Sequence, residues 1–276
     1  MSDLTIEKVA ALVEFGEAEA WANYYSCAPE PFAREFRIAV QRVRSAWVTM
    51  LPGSDSWFFN RIVALGLGEI ASESMLDEAI GILESAGCRN YMVQLSPAAQ
   101  PPELPNWLNA RGVAFRRNWA KTYRGNEPAP LVRSALRLEC IGKEQADAFG
   151  EIALTCFEMP AKLLPFMSCH VGKPGWLHYL GFDGDRPVAT AAMFISGDVA
   201  WLGFGSTLES HRGRGGQGAL FARRISDGLK AGCKWFVTET GEDTPEMPNP
   251  SYRNMIRAGF KLAYMRPNYI HEAQAN

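Results

Sequence analysis

The sequence contains no apolar run approaching the roughly 18 residues needed to span a bilayer, so no membrane partner is expected. Its opening stretch, MSDLTIEKVAALVEFGEAEAW, has no basic segment ahead of an apolar one and carries acids throughout. That pattern excludes a secretion signal and reads instead as an acidic amphipathic helix. Paired cysteines are also missing. Cys27, Cys88, Cys140, Cys156, Cys169 and Cys233 are scattered and form no C-x-x-C, which argues against zinc and thioredoxin-type chemistry. Without a secretion signal, disulfides are not expected, and most of these thiols read as small buried hydrophobes. Charge of one sign is scarce as well. The formal net charge is −2, from 28 basic and 30 acidic residues, so there is no basic footprint for a nucleic-acid partner. These absences leave a soluble cytoplasmic protein with no metal, compatible with a monomer or a homodimer.

What is present fits an ordinary globular chain. Hydrophobic residues make up 47% and charged residues 21% of 276 residues, a length that suggests about two domains with sizeable cores. An internal repeat supports that count. Ser85–Leu95 (SAGCRNYMVQL) resembles Leu229–Thr240 (LKAGCKWFVTET), with Cys88 and Cys233 offset by 145. Further on, Trp107–Phe115 (WLNARGVAF) resembles Met255–Phe260 (MIRAGF), and upstream Leu65–Gly68 (LGLG) resembles Leu202–Gly205 (LGFG). Three similarities in the same order point to duplicated halves. The smaller upstream offset, 137 between Leu65 and Leu202, means that the first half is shorter just after LGLG. Asn126–Pro130 (NEPAP) is the best linker, which gives expected domains 1–128 and 131–276.

In the first half the patterns predict strands at Phe36–Val43, Ala46–Met50 and Phe58–Leu67, then a helix at Met75–Glu84. A strand at Tyr91–Leu95, a short helix at Trp107–Ala110 and a strand at Phe115–Tyr123 follow. The second half reads as strand Ser134–Cys140, helix Lys143–Thr155, and strands Leu177–Phe182, Val188–Ile195 and Val199–Ser206. Next come a glycine-rich loop, a helix to about Ala231, strand Trp235–Glu239, helix Ser251–Ala258 and strand Phe260–Met265. The fold class is therefore α/β with a mixed sheet, in which antiparallel hairpins feed one strand–loop–helix unit per half.

The glycine-rich loop, His211–Leu220 (HRGRGGQGAL), is the strongest functional signal. Its glycines permit positive φ and close backbone approach. Successive N–H groups at a helix start form an anion nest, and Arg212 and Arg214 can add charge-assisted contacts to phosphate. A P-loop is excluded, because Ala219 stands where the lysine would follow Gly218. Gly213, Gly215 and Gly218 do satisfy G-x-G-x-x-G, with Glu239 about 20 residues beyond, so the glycines alone also fit a dinucleotide. That reading would make the chain an NAD-dependent oxidoreductase. Against it, the loop follows hairpins rather than a first strand, and too few residues remain to complete a dinucleotide domain.

The same stretch resembles the acyl-CoA loop of the GNAT N-acetyltransferase superfamily, [RQ]-x-x-G-x-[GA]. Arg212-Gly-Arg-Gly215-Gly216 matches the first five positions, and Gln217 occupies the last, where Gly or Ala is usual. Gly203–Arg212 resembles the end of that family's fourth strand, Ala231–Thr240 its fifth, and Asn249–Phe260 its last helix with a Gly-Phe ending. The resemblance spans about Leu131 to Ile270, and the repeat makes the first half a degenerate copy, so the architecture reads as tandem GNAT. Where the second half has its loop, the first has Glu69–Ser74, with acids and no glycine nest, and is expected not to bind CoA.

The resemblance implies direct transfer of an acetyl group from acetyl-CoA to the primary amine of a small molecule. Gly205, Ser206 and Thr207 would supply the oxyanion donor and meet the pantetheine arm. Arg212, Gly213, Arg214, Gly215, Gly216, Gln217 and Gly218 would hold the pyrophosphate. Glu239 is the candidate general base. The general-acid tyrosine often found four residues before the Gly of Gly-Phe maps to Met255, which leaves Tyr252, one turn earlier, as its substitute. Glu209, Glu158 and His170 are further candidates near the loop or the acceptor region. Trp176 and Trp201 read as core or pocket lining, and a thiol mechanism through Cys156 or Cys169 lacks an orienting third group. The alternative function is a non-catalytic acyl-CoA-binding or sensing protein.

Overall fold

The computed structural model describes residues 5–54 and 56–273. The chain forms two compact units. One runs to Lys121 and resumes at Ala263, and the other is Thr122–Leu262. Composition places the boundary in Asn126–Pro130, but the units part within a strand, and the end of the chain returns to the first unit. The proline-rich stretch marks a loop, whereas strand pairing decides where the contacts change.

The first unit holds α1 (Ile6–Ser26), α2 (Glu30–Phe36), β1 (Ala39–Val43), β2 (Ala46–Met50), β3 (Arg61–Val63), α3 (Glu73–Ser85), β4 (Tyr91–Gln94), α4 (Leu104–Ala110) and β5 (Ala114–Arg124), whose last three residues enter the second unit. In the second unit follow β6 (Arg137–Ile141), α5 (Ala146–Cys156), α6 (Leu164–Ser168), β7 (Trp176–Asp183), β8 (Arg186–Ser196), β9 (Val199–Thr207), α7 (Gly216–Lys230), β10 (Trp235–Gly241) and α8 (Pro250–Arg257). Strand β11 (Lys261–His271) leaves that unit and pairs antiparallel with β4, Tyr269 opposite Val93.

Two predicted strands are corrected. Phe36 belongs to helix α2, where it stacks on Phe32 with centroids 4.1 Å apart, so the strand begins only at Ala39. The predicted Phe58–Leu67 strand shrinks to β3, because Trp57–Phe59 forms a 3₁₀ turn and Ala64 and Gly66 take positive φ.

Each unit contains one parallel pair joined through a helix. Strands β3 and β4 pair Ile62 with Val93, and β9 and β10 pair Ala200 with Phe236. The glycines of the sequence repeat explain themselves here. Gly87, Gly112, Gly232 and Gly259 all follow helix ends with φ between +72° and +91°. After each, the next residue's N–H returns to a carbonyl five residues back, as in Cys88 to Leu83 and Cys233 to Gly228, both 2.9 Å. This is the left-handed helix stop that glycine favours. Of the six cysteines only the two repeat positions, Cys88 and Cys233, are buried.

Helix α1 is amphipathic but not as its acids suggest. Glu14 and Glu17 lie in its inner stripe with Val13 and Trp21, at 1% and 0% exposure. They meet three buried cations from three strands. Lys121 Nζ is 2.6 Å from Glu17, Arg266 Nη1 is 2.7 Å from Glu14, and Arg61 Nη1 is 3.5 Å from Glu17. The Arg61 guanidinium also lies 3.9 Å from the Trp21 ring centroid and 4.2 Å from that of Phe58. Burial alone would raise the Glu17 carboxyl, but Arg266, Lys121 and Arg61 outweigh it and hold it far below the carboxylate range.

A carboxyl depressed on folding contributes stability above its unfolded value, near pH 4.3, that is lost as the pH falls. Replacing Glu17 by Gln strands buried cations and is expected to cost about 3–5 kcal/mol in urea denaturation at neutral pH. The variant should also lose part of the wild type's acid sensitivity below pH 4.3.

Candidate functional site

The site is built where β9 leaves its partner. Between β8 and β9 the register shifts: Ala192 faces Gly203, yet Thr190 faces Ser206. One extra residue is thus accommodated on β9, and Phe204 takes φ +52°, a bulge that bends the strand. On its other side β9 pairs with β10 only from Val199 to Trp201. Beyond that point side chains replace the ladder. Thr238 Oγ1 donates to the Leu202 carbonyl at 2.7 Å, Arg224 Nη1 to Gly203 at 3.3 Å and Thr190 Oγ1 to Phe204 at 2.8 Å. Gln217 Nε2 donates to the Ser206 carbonyl at 2.6 Å, and Arg212 Nε to that of Thr207 at 3.3 Å. These bonds satisfy carbonyls that a splayed strand would otherwise leave bare.

The glycine loop follows directly. Gly213 and Gly215 take φ +78° and +76°, and Gly215 is the N-cap of α7 without any side-chain cap. The first intrahelical bond is from the Ala219 N–H to the Gly215 carbonyl, so the N–H groups of Gly216, Gln217 and Gly218 have no intrahelical acceptor. A Cβ on Gly215 would lie 2.7 Å from the Arg133 carbonyl oxygen. A cavity of about 810 Å³ opens over this helix start. Its walls include Gly205–Thr207, most of the loop, Cys156 and Phe157 at the end of α5, and Asn254 and Arg257 of α8. They carry Arg212 and Arg257 and no carboxylate. Free helix donors, two arginines and open glycine backbone give this wall the chemistry that an anionic group would need.

Of the residues singled out in the sequence, Gly205, Ser206, Thr207, Arg212, Gly213, Gly215, Gly216, Gln217 and Gly218 all line this cavity. Arg214 does not; it pairs with Asp183 at 2.9 Å, which His211 also approaches at 3.3 Å. Gln217, in the place of the usual small residue, ties α7 to the end of β9 through the Ser206 carbonyl and the Thr207 hydroxyl. Glu239 and Tyr252 lie outside the cavity lining. The Glu239 carboxylate accepts from the Trp201 indole at 3.2 Å, and the Tyr252 N–H bonds the Asn249 side chain that caps α8. Met255 is buried and 3.8 Å from the Thr122 hydroxyl. Glu158 and Glu209 are exposed and outside the lining. Sequence reasoning missed Arg224, although an arginine within the apolar stripe Leu220, Phe221 and Ile225 was a visible anomaly.

The corresponding helix start of the first unit is built differently. Helix α3 begins after Ser72, whose Oγ accepts from the Met75 N–H at 3.3 Å and occupies a donor that α7 leaves open. Glu69 turns its carboxylate onto the Ser45 N–H at 2.8 Å and pairs with Arg44.

Comparison with known proteins places the fold. No described family and no curated protein matches the chain by sequence. Solved structures do. A GCN5-related N-acetyltransferase from Kribbella flavida is 18% identical with a TM-score of 0.67, covering 94% of this chain and 95% of its own. One from Sphaerobacter thermophilus is 13% identical at 0.61, covering 97% and 94%. A tandem GNAT protein from the clavulanic acid biosynthesis pathway is 15% identical at 0.57, covering 84% and 79%. At these identities the likeness speaks for the fold: two GNAT-like domains in tandem.

On the sheet face opposite α7 lies an aromatic cluster. His170 and His178 are buried with ring centroids 4.5 Å apart, and Phe149 of α5 stands 4.9 Å from His178. Burial pushes the His178 imidazole down to about 3 and, with the neighbouring His178, holds His170 well below its usual value. Both rings are therefore neutral when folded. Stability is full above the unfolded value near pH 6.5 and drains as pH falls from there, because the unfolded chain binds the protons first. The unfolding free energy measured by urea denaturation should drop between pH 6.5 and 4 with a slope of about 1.4 kcal/mol per pH unit for each histidine. His178→Leu should make that slope shallower, and an unchanged slope would contradict the assignment.

Proposed function

We propose that this tandem GNAT fold carries one working acyltransferase site, in its second unit, that takes acetyl-CoA and transfers the acetyl group to the amine of a small molecule. The uncapped start of α7 carries the proposal: three donors without intrahelical acceptors beside Arg212 are suited to a pyrophosphate. The strand end at Gly205–Thr207, bent away from β10, gives the pantetheine arm a backbone edge. Its N–H groups offer oxyanion donors to the carbonyl under attack. The acceptor nitrogen must arrive as a free amine. Glu239, held by Trp201, is the carboxylate on the adjoining strand that could take its proton through water.

A binding-only role is the second reading, favoured by the placement of Glu239 and Tyr252 outside the cavity lining. Release of free thiol from acetyl-CoA in the presence of an amine panel separates the two readings.

Calorimetry tests the receptor itself. Acetyl-CoA should bind with a stoichiometry of one per chain, because the first unit's helix start is already capped, and NAD should not bind. Gly215→Ala forces a side chain into a left-handed conformation at a cost of roughly 1–2 kcal/mol and should weaken acetyl-CoA binding about tenfold. NAD binding without acetyl-CoA binding would overturn the proposal.

A further inference from the structure

Arg224 is a buried cation with no carboxylate of its own. It lies on α7, two turns from the helix start, at 1% exposure. Its Nε donates to the Leu220 carbonyl at 3.2 Å, and Nη1 donates to Ala192 and Gly203 at 3.1 and 3.3 Å, bridging β8 and β9 at the bulge. Nη2 makes no hydrogen bond among the described residues. It points to the cavity wall: a Cβ on Gly205 would lie 3.8 Å from it, and the guanidinium sits 4.6 Å over the ring of Phe221. Gly205 and Phe221 both line the cavity. Asp227, the next acid along the helix, is taken by Arg223 at 2.6 Å, Lys230 at 3.4 Å and the Tyr179 hydroxyl at 3.1 Å. Burial lowers the Arg224 guanidinium to about 9, only partly opposed by Tyr179, which leaves it charged at neutral pH.

An unpaired buried charge is costly, and sites that keep one are candidates for a role in chemistry. The cavity wall contains no tyrosine, lysine or carboxylic acid, and its histidine, His211, has both ring nitrogens engaged, with the Ser210 hydroxyl at 2.8 Å and Asp183 at 3.3 Å, so charge stabilisation is the service the wall can offer a leaving group. We propose that Arg224, acting from behind Gly205, stabilises the sulfur anion released when the thioester is cleaved, and so is an electrostatic positioning residue of the transfer. This rests on the acyl-CoA reading above. In that step the amine lone pair forms the C–N bond and the carbonyl π pair moves to oxygen. The pair then returns, the C–S bond breaks, and its electrons leave on sulfur. The nitrogen gives one proton to solvent, and the thiolate later takes one back, so amine and thioester become amide and free thiol. A fixed positive charge in a water-poor wall lowers the cost of that anion more than it would in bulk water.

The test uses the whole protein with CoA and with desulfo-CoA, which has no thiol. The ionisation of bound CoA is followed by thiolate ultraviolet absorbance against pH. In the wild type the bound thiol should ionise at least about one pH unit below that of free CoA, the size of effect a neighbouring opposite charge produces. Arg224→Met should abolish the shift and Arg224→Lys should restore part of it, with desulfo-CoA affinity measured alongside to register any change in the wall itself. A wild-type bound thiol that titrates like free CoA would overturn the proposal without any variant. So would an Arg224→Met protein whose bound thiol keeps the wild-type shift, which would mark a purely structural arginine. If CoA does not bind the wild type at all, the acyl-CoA reading fails first and this inference with it.

Discussion

Strand β9 must lose its β10 partner while keeping its backbone satisfied, and the second unit is arranged around that constraint. The bulge at Phe204 turns the strand, and Gly203 lets the Trp201 ring lie across it, since a Cβ there would come within 2.0 Å of the indole. Side chains from three directions then take the freed carbonyls: Thr190 from β8, Thr238 from β10, and Gln217 and Arg224 from α7. Because α7 supplies two of them, the helix is locked to the strand end, and its uncapped start faces the space the bulge has opened. The cavity, its positive potential and the position of Arg224 all follow from this one departure from regular pairing.

The two units show what a shared scaffold does not decide. Both have a parallel pair joined through a helix, and both close their helices with glycines in the same left-handed geometry. They differ at one helix start. Ser72 caps α3 with its own hydroxyl and saturates it, whereas Gly215 leaves α7 to find an acceptor elsewhere. The first unit instead places its unusual polarity under α1, where Glu14 and Glu17 neutralise cations from three strands. That arrangement supports stability.

Much of this was legible in the sequence, because it depends on local rules. The glycine loop, the repeat and nearly every strand of the second half follow from periodicity and from where glycine is tolerated. The misreadings have a common cause in long-range partners. Phe36 reads as a strand residue until its stacking on Phe32 is known. The acidic amphipathic pattern of α1 does not say which acids turn inward; Arg61, Lys121 and Arg266 beneath Glu14 and Glu17 decide it, one of them about 250 residues away in sequence. Likewise Asn126–Pro130 looks like a domain boundary, but the return of β11 to the first unit depends on pairing with β4 that no local pattern announces. Gln217 departs from the expected small residue, and only the structure shows that its side chain is the tie between helix and strand.

Whether the start of α7 receives an anion while the start of α3 does not can be tested amide by amide. Backbone amide resonances should be followed by NMR during titration with adenosine 3′,5′-diphosphate, which presents the nucleotide phosphates without the acyl arm. Saturable shifts are expected at Gly213, Gly215, Gly216, Gln217 and Gly218, with Glu73, Ser74 and Met75 unmoved. Shifts at the α3 start, or none at the α7 start, would contradict this expectation.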